Sequence, residues 1–444
     1  MTLPPINTSQ LVSRAYRGAI LHALAKDELV YLADGVLLVD AQGMITACGP
    51  WLEWQEALAG VAVIRCLANQ LIVPGFVDTH VHLPQMAVAG CQAPSLLEWL
   101  DTHIFAEEAR FADADYARTI SEWFLSELLA NGTTLANVFL TSHPGASQIA
   151  FETAARLGNR VVMGQTLMDK QAPDSLLRPA AQLLQETESL CRQWHGANDG
   201  RIQYAWVPRF ALTSSEELMS GLGELRRQYP EVYLHTHLSE QLGEIAAVKA
   251  QFPWASDYTE VYERFGLLGT RTVLAHGIHL CDGELTRLKA LDASLAHCPS
   301  SNFFLKSGRF RLMEVLRRQL RLGLGSDVGA GPTLSLLTVM KDAQYMQADT
   351  LVPLATLFYL ATLGGAEALH QGHRLGNFEP GKEADFVVLD FPATPVSHDK
   401  PSVQSPGTSE ALLSRLVYQG HQQWISETYI RGQRVYQRAP IVQN

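Results

Sequence analysis

Positive charge is scarce in this chain. Its 444 residues carry 34 Lys and Arg against 45 Asp and Glu, a formal net charge of -11, and no basic block stands out. A polyanion would be repelled at long range, which sets aside nucleic acid and anionic membrane surfaces as partners. Cysteine is sparse as well. Cys48, Cys66, Cys91, Cys191, Cys281 and Cys298 are scattered with no Cys-x-x-Cys pair, which excludes a disulfide frame and a Cys-type zinc site and points to reduced thiols in a cytoplasmic compartment. Long apolar runs are missing: the longest, residues 351–366, holds Thr, Pro and Gly and ends at Glu367, as a buried helix does. The opening MTLPPINTSQ has neither the basic start nor the apolar core of a secretory signal.

What is present is a hydrophobic content of 47%, enough for a large core and a second, smaller unit. Residues 29–39, a turn at Asp40-Ala41-Gln42-Gly43 and residues 44–48 read as a β-hairpin. From residue 71 onward, short apolar runs alternate with longer amphipathic stretches, the signature of parallel βα units. Strands are predicted at 71–77, 133–139, 160–167, 201–207, 232–237, 271–276, 293–298 and 321–327, with helices at 113–129, 173–194 and 353–369. Eight such units fit a (β/α)8 TIM-type barrel. Strands return at 384–389 and 424–435, separated by the loop FPATPVSHDKPSVQSPGTSE with its four prolines. The expected organisation is residues 1–70 and 376–444 as the two β-rich parts of one small β-sandwich domain, and 71–375 as the barrel.

The organising stretch is LIVPGFVDTHVH, residues 71–82. Alternation along a strand points His80 and His82 the same way. In a barrel of this kind the C-terminal ends of the strands meet at one mouth, so the polar residues there form the candidate site: Arg209, His235, His237, Glu240, His276, His279, His297 and Asp327 join the first pair. Three imidazoles and a carboxylate suit a borderline metal such as zinc with one position open for water. His80, His82, His237 and Asp327 are assigned as ligands. A bound divalent ion brings the pKa of its water to about 7 and so supplies a nucleophile at neutral pH. Glu240, three residues beyond His237, is assigned as proton carrier, and His276 as a hydrogen-bonding partner of the attacking water or developing alkoxide. Residues 201–213 contain no Lys that could bridge a second ion, so one metal per chain is expected. His235 is read as a hydrogen-bonded structural neighbour, His297 as a pocket residue or a buried, satisfied histidine, and His279 as a rim residue. The Trp and Leu stripe at 96–100 is assigned to core or interface rather than to substrate contact.

Taken together, PGFVDTHVH, HTHLSE, LAHG, LGSD and PGKEADFVVLD resemble the metal-dependent amidohydrolase superfamily. Finer marks lie in His82-Leu83-Pro84-Gln85, LLEWLDTHIFAEEARFAD, Val207-Pro208-Arg209-Phe210-Ala211, HCPSSNFFL, SDVGAG and FYLATLGGAEAL, and these are most similar to its guanine-deaminating branch. The resemblance implies zinc on His80, His82, His237 and Asp327, with Glu240 as proton shuttle and Gln85, Arg209 and Phe210 reading the purine. It implies hydrolytic deamination of guanine at C2 to xanthine and ammonia in purine catabolism or salvage, with Asp327 and Glu240 passing protons to the leaving amine, and a homodimer. The His-x-Glu and Pro-Cys-x-x-Cys pattern of cytidine-type deaminases is absent. Two rivals remain: a relative acting on an adenine-, pterin- or triazine-type ring, and a catalytically silent relative serving as a scaffold.

Overall fold

The computed structural model describes residues 12–391 and 409–439. Eight parallel strands follow one another around a barrel: Phe76–His82, Thr133–Phe139, Val161–Gly164, Ile202–Pro208, Tyr233–Leu238, Thr272–His276, Ser294–His297 and Arg321–Leu324. The first three are buried along their whole length, which is why they read as apolar runs rather than as alternation. First and last strands meet at the mouth through side chains and loops. The Thr79 hydroxyl donates to Leu324 O at 2.9 Å, and the Asp327 N–H donates to His80 O at 2.9 Å. The barrel is thereby nearly closed around its metal-ligand candidates.

Both chain ends build a second, mixed sheet, ordered Gln433–Gln437, Ile425–Ile430, Phe386–Asp390, Gln70–Pro74, Arg14–Ala25, Glu28–Val39, Ile45–Pro50, with Val63–Arg65 beside Arg14–Ala25. The expected hairpin is the pair Glu28–Val39 and Ile45–Pro50. Arg14–Ala25 carries no period-two pattern, because Ala and Gly, both weak strand formers, fill much of it.

Several boundaries differ from the sequence expectation, each for a local reason. The apolar run 71–77 is two strands, and the expected division at 70/71 falls inside Gln70–Pro74, which pairs with Phe386–Asp390 of the mixed sheet. The chain changes sheets at Gly75, where a Cβ would sit 1.9 Å from Thr134 Oγ1. The third barrel strand is interrupted at Gln165 before Thr166–Leu167. Proline at the N-cap delays the helix expected from 173 until Ala180–Trp194. The helix expected at 353–369 is two, Leu354–Ala361 and Leu363–Ala368, split at Thr362, whose φ and ψ of -129 and -99 are not helical. By contrast, the helix expected from 113 is Ala114–Ala130, because the Asp113 carboxylate accepts from the N–H groups of Asp115 and Tyr116.

The C-terminal part is not purely β. A helix, Ser409–Gln419, packs on the barrel helices Leu336–Met346 and Leu354–Ala361. Most of the proline-rich loop lies outside the described residues. No described helix is long and apolar enough to cross a membrane, and none of the six cysteines forms a disulfide.

Barrel and mixed sheet are joined by a buried ion cluster. Arg160, just before the third barrel strand, donates from Nε to Asp385 Oδ2 at 2.9 Å and from Nη2 to Glu383 Oε2. Arg374 also donates to Glu383, and the Arg431 N–H donates to Asp385 at 2.8 Å. Arg160 and both acids are buried.

Candidate functional site

His80 and His82 occupy the last three residues of the first barrel strand, His237 the penultimate position of the fifth, and His276 the end of the sixth. Asp327 lies three residues past the eighth strand, on a loop anchored by the first: the Asp78 carboxylate accepts from the Ser326 N–H at 3.0 Å and from the Ser326 hydroxyl. Ser239, His276 and Asp327 all have left-handed backbones, with φ of +50, +70 and +49. Non-glycine residues rarely adopt that region, and such conformations concentrate at functional sites.

The donor atoms converge. His80 Nε2 and His82 Nε2 lie 3.1 and 3.2 Å from Asp327 Oδ1. The same two nitrogens are 3.1 Å apart, and His237 Nε2 is 3.2 Å from His82 Nε2. Donor atoms of His80, His237 and His276 also lie within 4.8 Å of one another, so the sixth-strand histidine faces the same point. Hydrogen bonds at the outer nitrogens show what the inner ones offer. His237 Nδ1 faces the carbonyl oxygen of Arg209 at 2.6 Å, so Nδ1 carries the proton and Nε2 presents a bare lone pair. His80 Nδ1 is 2.8 Å from His235 Nε2, so His235 is a hydrogen-bonded neighbour that orients its partner. Burial pushes His80, His82, His235 and His237 down, His82 to about 3 and His235 and His237 well below the ordinary value. Burial opposes ionisation of Asp327 as well, yet the surrounding imidazoles hold its carboxyl well below the usual range. Neutral imidazole nitrogens aimed at one another beside a carboxylate suit a cation, and the set fits a divalent metal with nitrogen and oxygen preferences.

Glu240 stands next to this centre. Its Oε2 is 3.3 Å from His276 Nε2 and its Oε1 accepts from the Ser307 hydroxyl at 3.1 Å. Burial, reinforced by the nearby charge of Asp327, raises its carboxyl to about 8. His276 Nε2 is also 3.6 Å from Asp327 Oδ2, and His276 Nδ1 is bonded to Asn302 Oδ1 at 3.0 Å. The amide oxygen only accepts, so neutral His276 keeps its proton on Nδ1 and turns Nε2 to the two carboxyls.

The centre opens into a cavity at the barrel mouth. Gln85, Arg209 and Phe210 line it together with His82, His237, Glu240, His276 and Asp327. Leu96, Trp99 and Leu100 line it too, which revises their assignment to core or interface alone. The segment after the first strand folds as short helical turns, Leu83–Val88, Leu96–Trp99, Leu100–Ile104 and Phe105–Ala109, and these place the stripe against the mouth. Apolar spacing marks those residues as buried but does not distinguish a core wall from a cavity wall. Sequence reasoning did not single out Glu108, Asn302 or Ser307, although the first two lie within motifs already noted. His279 is half-buried and bonds Ser307 O at 2.8 Å, away from the cavity. His297 is buried and stacks on Phe310 at 4.4 Å; neither ring nitrogen has a hydrogen-bond partner among the described residues, and the ring does not line the cavity.

These buried rings make the metal-free protein sensitive to acid. In the folded chain burial lowers His82 and His297 to about 3 and His22 to about 4, whereas the unfolded chain titrates near 6.5. Below that value the unfolded state takes up protons that the folded state refuses, so stability is complete above pH 6.5 and is lost as pH falls toward 4. Each such histidine removes up to about 2 kcal/mol between pH 6.5 and about 5. Urea midpoints of chelator-treated protein should fall steeply over that interval; a flat profile would show that these rings titrate normally.

A model of the Amidohydrolase family matches residues 71–435. The guanine deaminase of Escherichia coli (strain K12) is 40% identical over 416 residues, covering 92% of this chain and 93% of that protein. Among solved structures, E. coli guanine deaminase aligns with a TM-score of 0.89 at 37% identity, covering 96% of this chain and 100% of its own. The guanine deaminase of C. acetobutylicum with bound guanine in the active site aligns with a TM-score of 0.88 at 29% identity, covering 95% and 100%.

Proposed function

The chain belongs to the amidohydrolase family, and from that premise we propose that it deaminates guanine hydrolytically at C2, converting guanine and water to xanthine and ammonia. One observation carries the reading: the ring nitrogens of His80, His82 and His237 converge beside Asp327 at a cavity lined by Gln85, Arg209 and Phe210, with Glu240 at the junction. His80, His82, His237 and Asp327 would hold one zinc ion per chain. When bound, the ion supplies a water acidified toward neutrality.

The remaining work falls to side chains. Arg209 donates to the acceptor edge of the purine, Gln85 supplies amide contacts, and Phe210 packs on the ring. Glu240, whose carboxyl burial pushes up in the metal-free chain, protonates the ring nitrogen next to C2 as the water adds. His276 Nε2 sits between Glu240 and Asp327, where its lone pair can accept a hydrogen bond from the attacking water. Asp327 and Glu240 take up the two protons of the adding water; one is passed to the departing amine, which leaves as ammonia, and the other restores the proton Glu240 gave to the ring nitrogen. A homodimer in the cytoplasm belongs to the same proposal, and sedimentation of the purified protein tests its stoichiometry.

The decisive experiment is an ultraviolet assay with zinc-loaded protein and guanine, alongside ammonia release from adenine, a pterin and an aminotriazine. Turnover is expected with guanine, lost on chelation and regained on adding zinc. Ammonia from another ring in preference to guanine would overturn the substrate assignment, and activity that survives complete metal removal would overturn the metal.

A further inference from the structure

Glu108 lies on the short helix Phe105–Ala109 and is 1% exposed. Its two carboxylate oxygens each accept from Arg209 Nη1 at 2.8 Å. Oε1 also accepts from Gln85 Nε2 at 3.3 Å, while Gln85 Oε1 accepts from the Gly329 N–H at 3.2 Å. The second pair of contacts settles the amide orientation, because only the NH2 can face a carboxylate and only the oxygen can face an N–H. Arg209 and Gln85 line the cavity, and Glu108 stands behind them. Among the described residues the Nε and Nη2 groups of Arg209 make no hydrogen bond, so they remain for a ligand.

We infer that Glu108 is a positioning residue that sets ligand specificity: it holds the donors of Arg209 and Gln85 toward the cavity and cancels the guanidinium charge, so that the cavity favours a neutral purine over a purine anion. The inference rests on the guanine reading of this cavity. A buried ion pair of this kind contributes little to stability compared with apolar residues of the same volume. Its effect here is on geometry and charge. An unpaired Arg209 could swing among rotamers and would present a full positive charge to whatever enters.

The test compares E108Q with wild type, using guanine as substrate and xanthine, the more acidic purine, as competitive inhibitor. In E108Q the KM for guanine should rise about tenfold or more, with kcat within about threefold of wild type. The inhibition constant for xanthine should rise by less than KM does, because the uncancelled guanidinium attracts its anion. A purely structural Glu108 would not change that ratio. If E108Q does not fold, R209Q and E108Q/R209Q, which lack the unpaired cation, replace it: the second substitution should cost nothing further in kcat/KM for guanine. An unchanged KM in E108Q, or an additive loss in the double variant, would overturn the inference while wild-type turnover of guanine persists. Wild-type protein inactive on guanine would instead remove the guanine reading, and the inference with it.

Discussion

Replacing Glu240 with Gln is expected to lower kcat by roughly 10³-fold or more, with bound zinc and the thermal midpoint unchanged. Glutamine keeps the volume and can still meet the Ser307 hydroxyl, which in the parent donates to Glu240 Oε1 at 3.1 Å. It cannot carry a proton from one atom to another. The proposed donor set, His80, His82, His237 and Asp327, does not include position 240, so metal content isolates the proton-transfer role from assembly of the centre. The buried carboxyl is also an expense in the parent protein, since burial and Asp327 both oppose its ionisation. The variant should therefore be no less stable than wild type in urea. An E240Q protein with near-normal kcat would remove Glu240 from the chemistry. Loss of zinc along with activity would show instead that the carboxylate helps to hold the ion.

The largest effect on stability is expected away from the mouth. Arg160→Ala should cost about 3–5 kcal/mol, read as a lower urea midpoint, because it leaves two buried acids facing the gap between barrel and mixed sheet. Glu383 keeps Arg374, and Asp385 keeps the Arg431 N–H. Neither of these replaces the guanidinium that spans both. Burial already raises the Asp385 carboxyl, and Arg160 is the main influence holding it down. Without the arginine that carboxyl moves further up. The deficit of the variant relative to wild type should then narrow as pH is lowered, since a protonated Asp385 no longer requires a cation. Near-normal kcat at low temperature is expected, because Arg160 does not line the cavity. A wild-type urea midpoint in R160A would refute the latch.

The barrel and its candidate ligands were legible in the sequence because both depend on short-range rules. Apolar runs separated by amphipathic stretches mark buried parallel strands. Period-two alternation then places His80 with His82 on one face, and the barrel convention brings His237, His276 and Asp327 to the same end. What the sequence hid depends on partners far apart in the chain. Glu108 looks like one acid among several in FAEEARFAD, and only the fold brings it to Arg209, 101 residues away. Asn302 reaches His276 in the same way, from the helix after the next strand. The run 71–77 looked like one strand because residues on both sides of Gly75 are equally apolar, although they belong to different sheets. The Thr362 break did leave a mark, since Thr362, Gly364 and Gly365 are poor helix formers, but the apolar residues on both sides continue one helical pattern and mask it.

The left-handed residues at the mouth have an evolutionary consequence. Ser239, His276 and Asp327 sit in conformations that Gly or Asn would adopt with less strain, and each costs on the order of 1–3 kcal/mol. A population of variants selected only for endurance at high temperature should drift toward Gly or Asn at these three places. The survivors at 276 and 327 would have exchanged the groups proposed to serve turnover, so on that proposal heat tolerance and catalysis pull in opposite directions at the same codons.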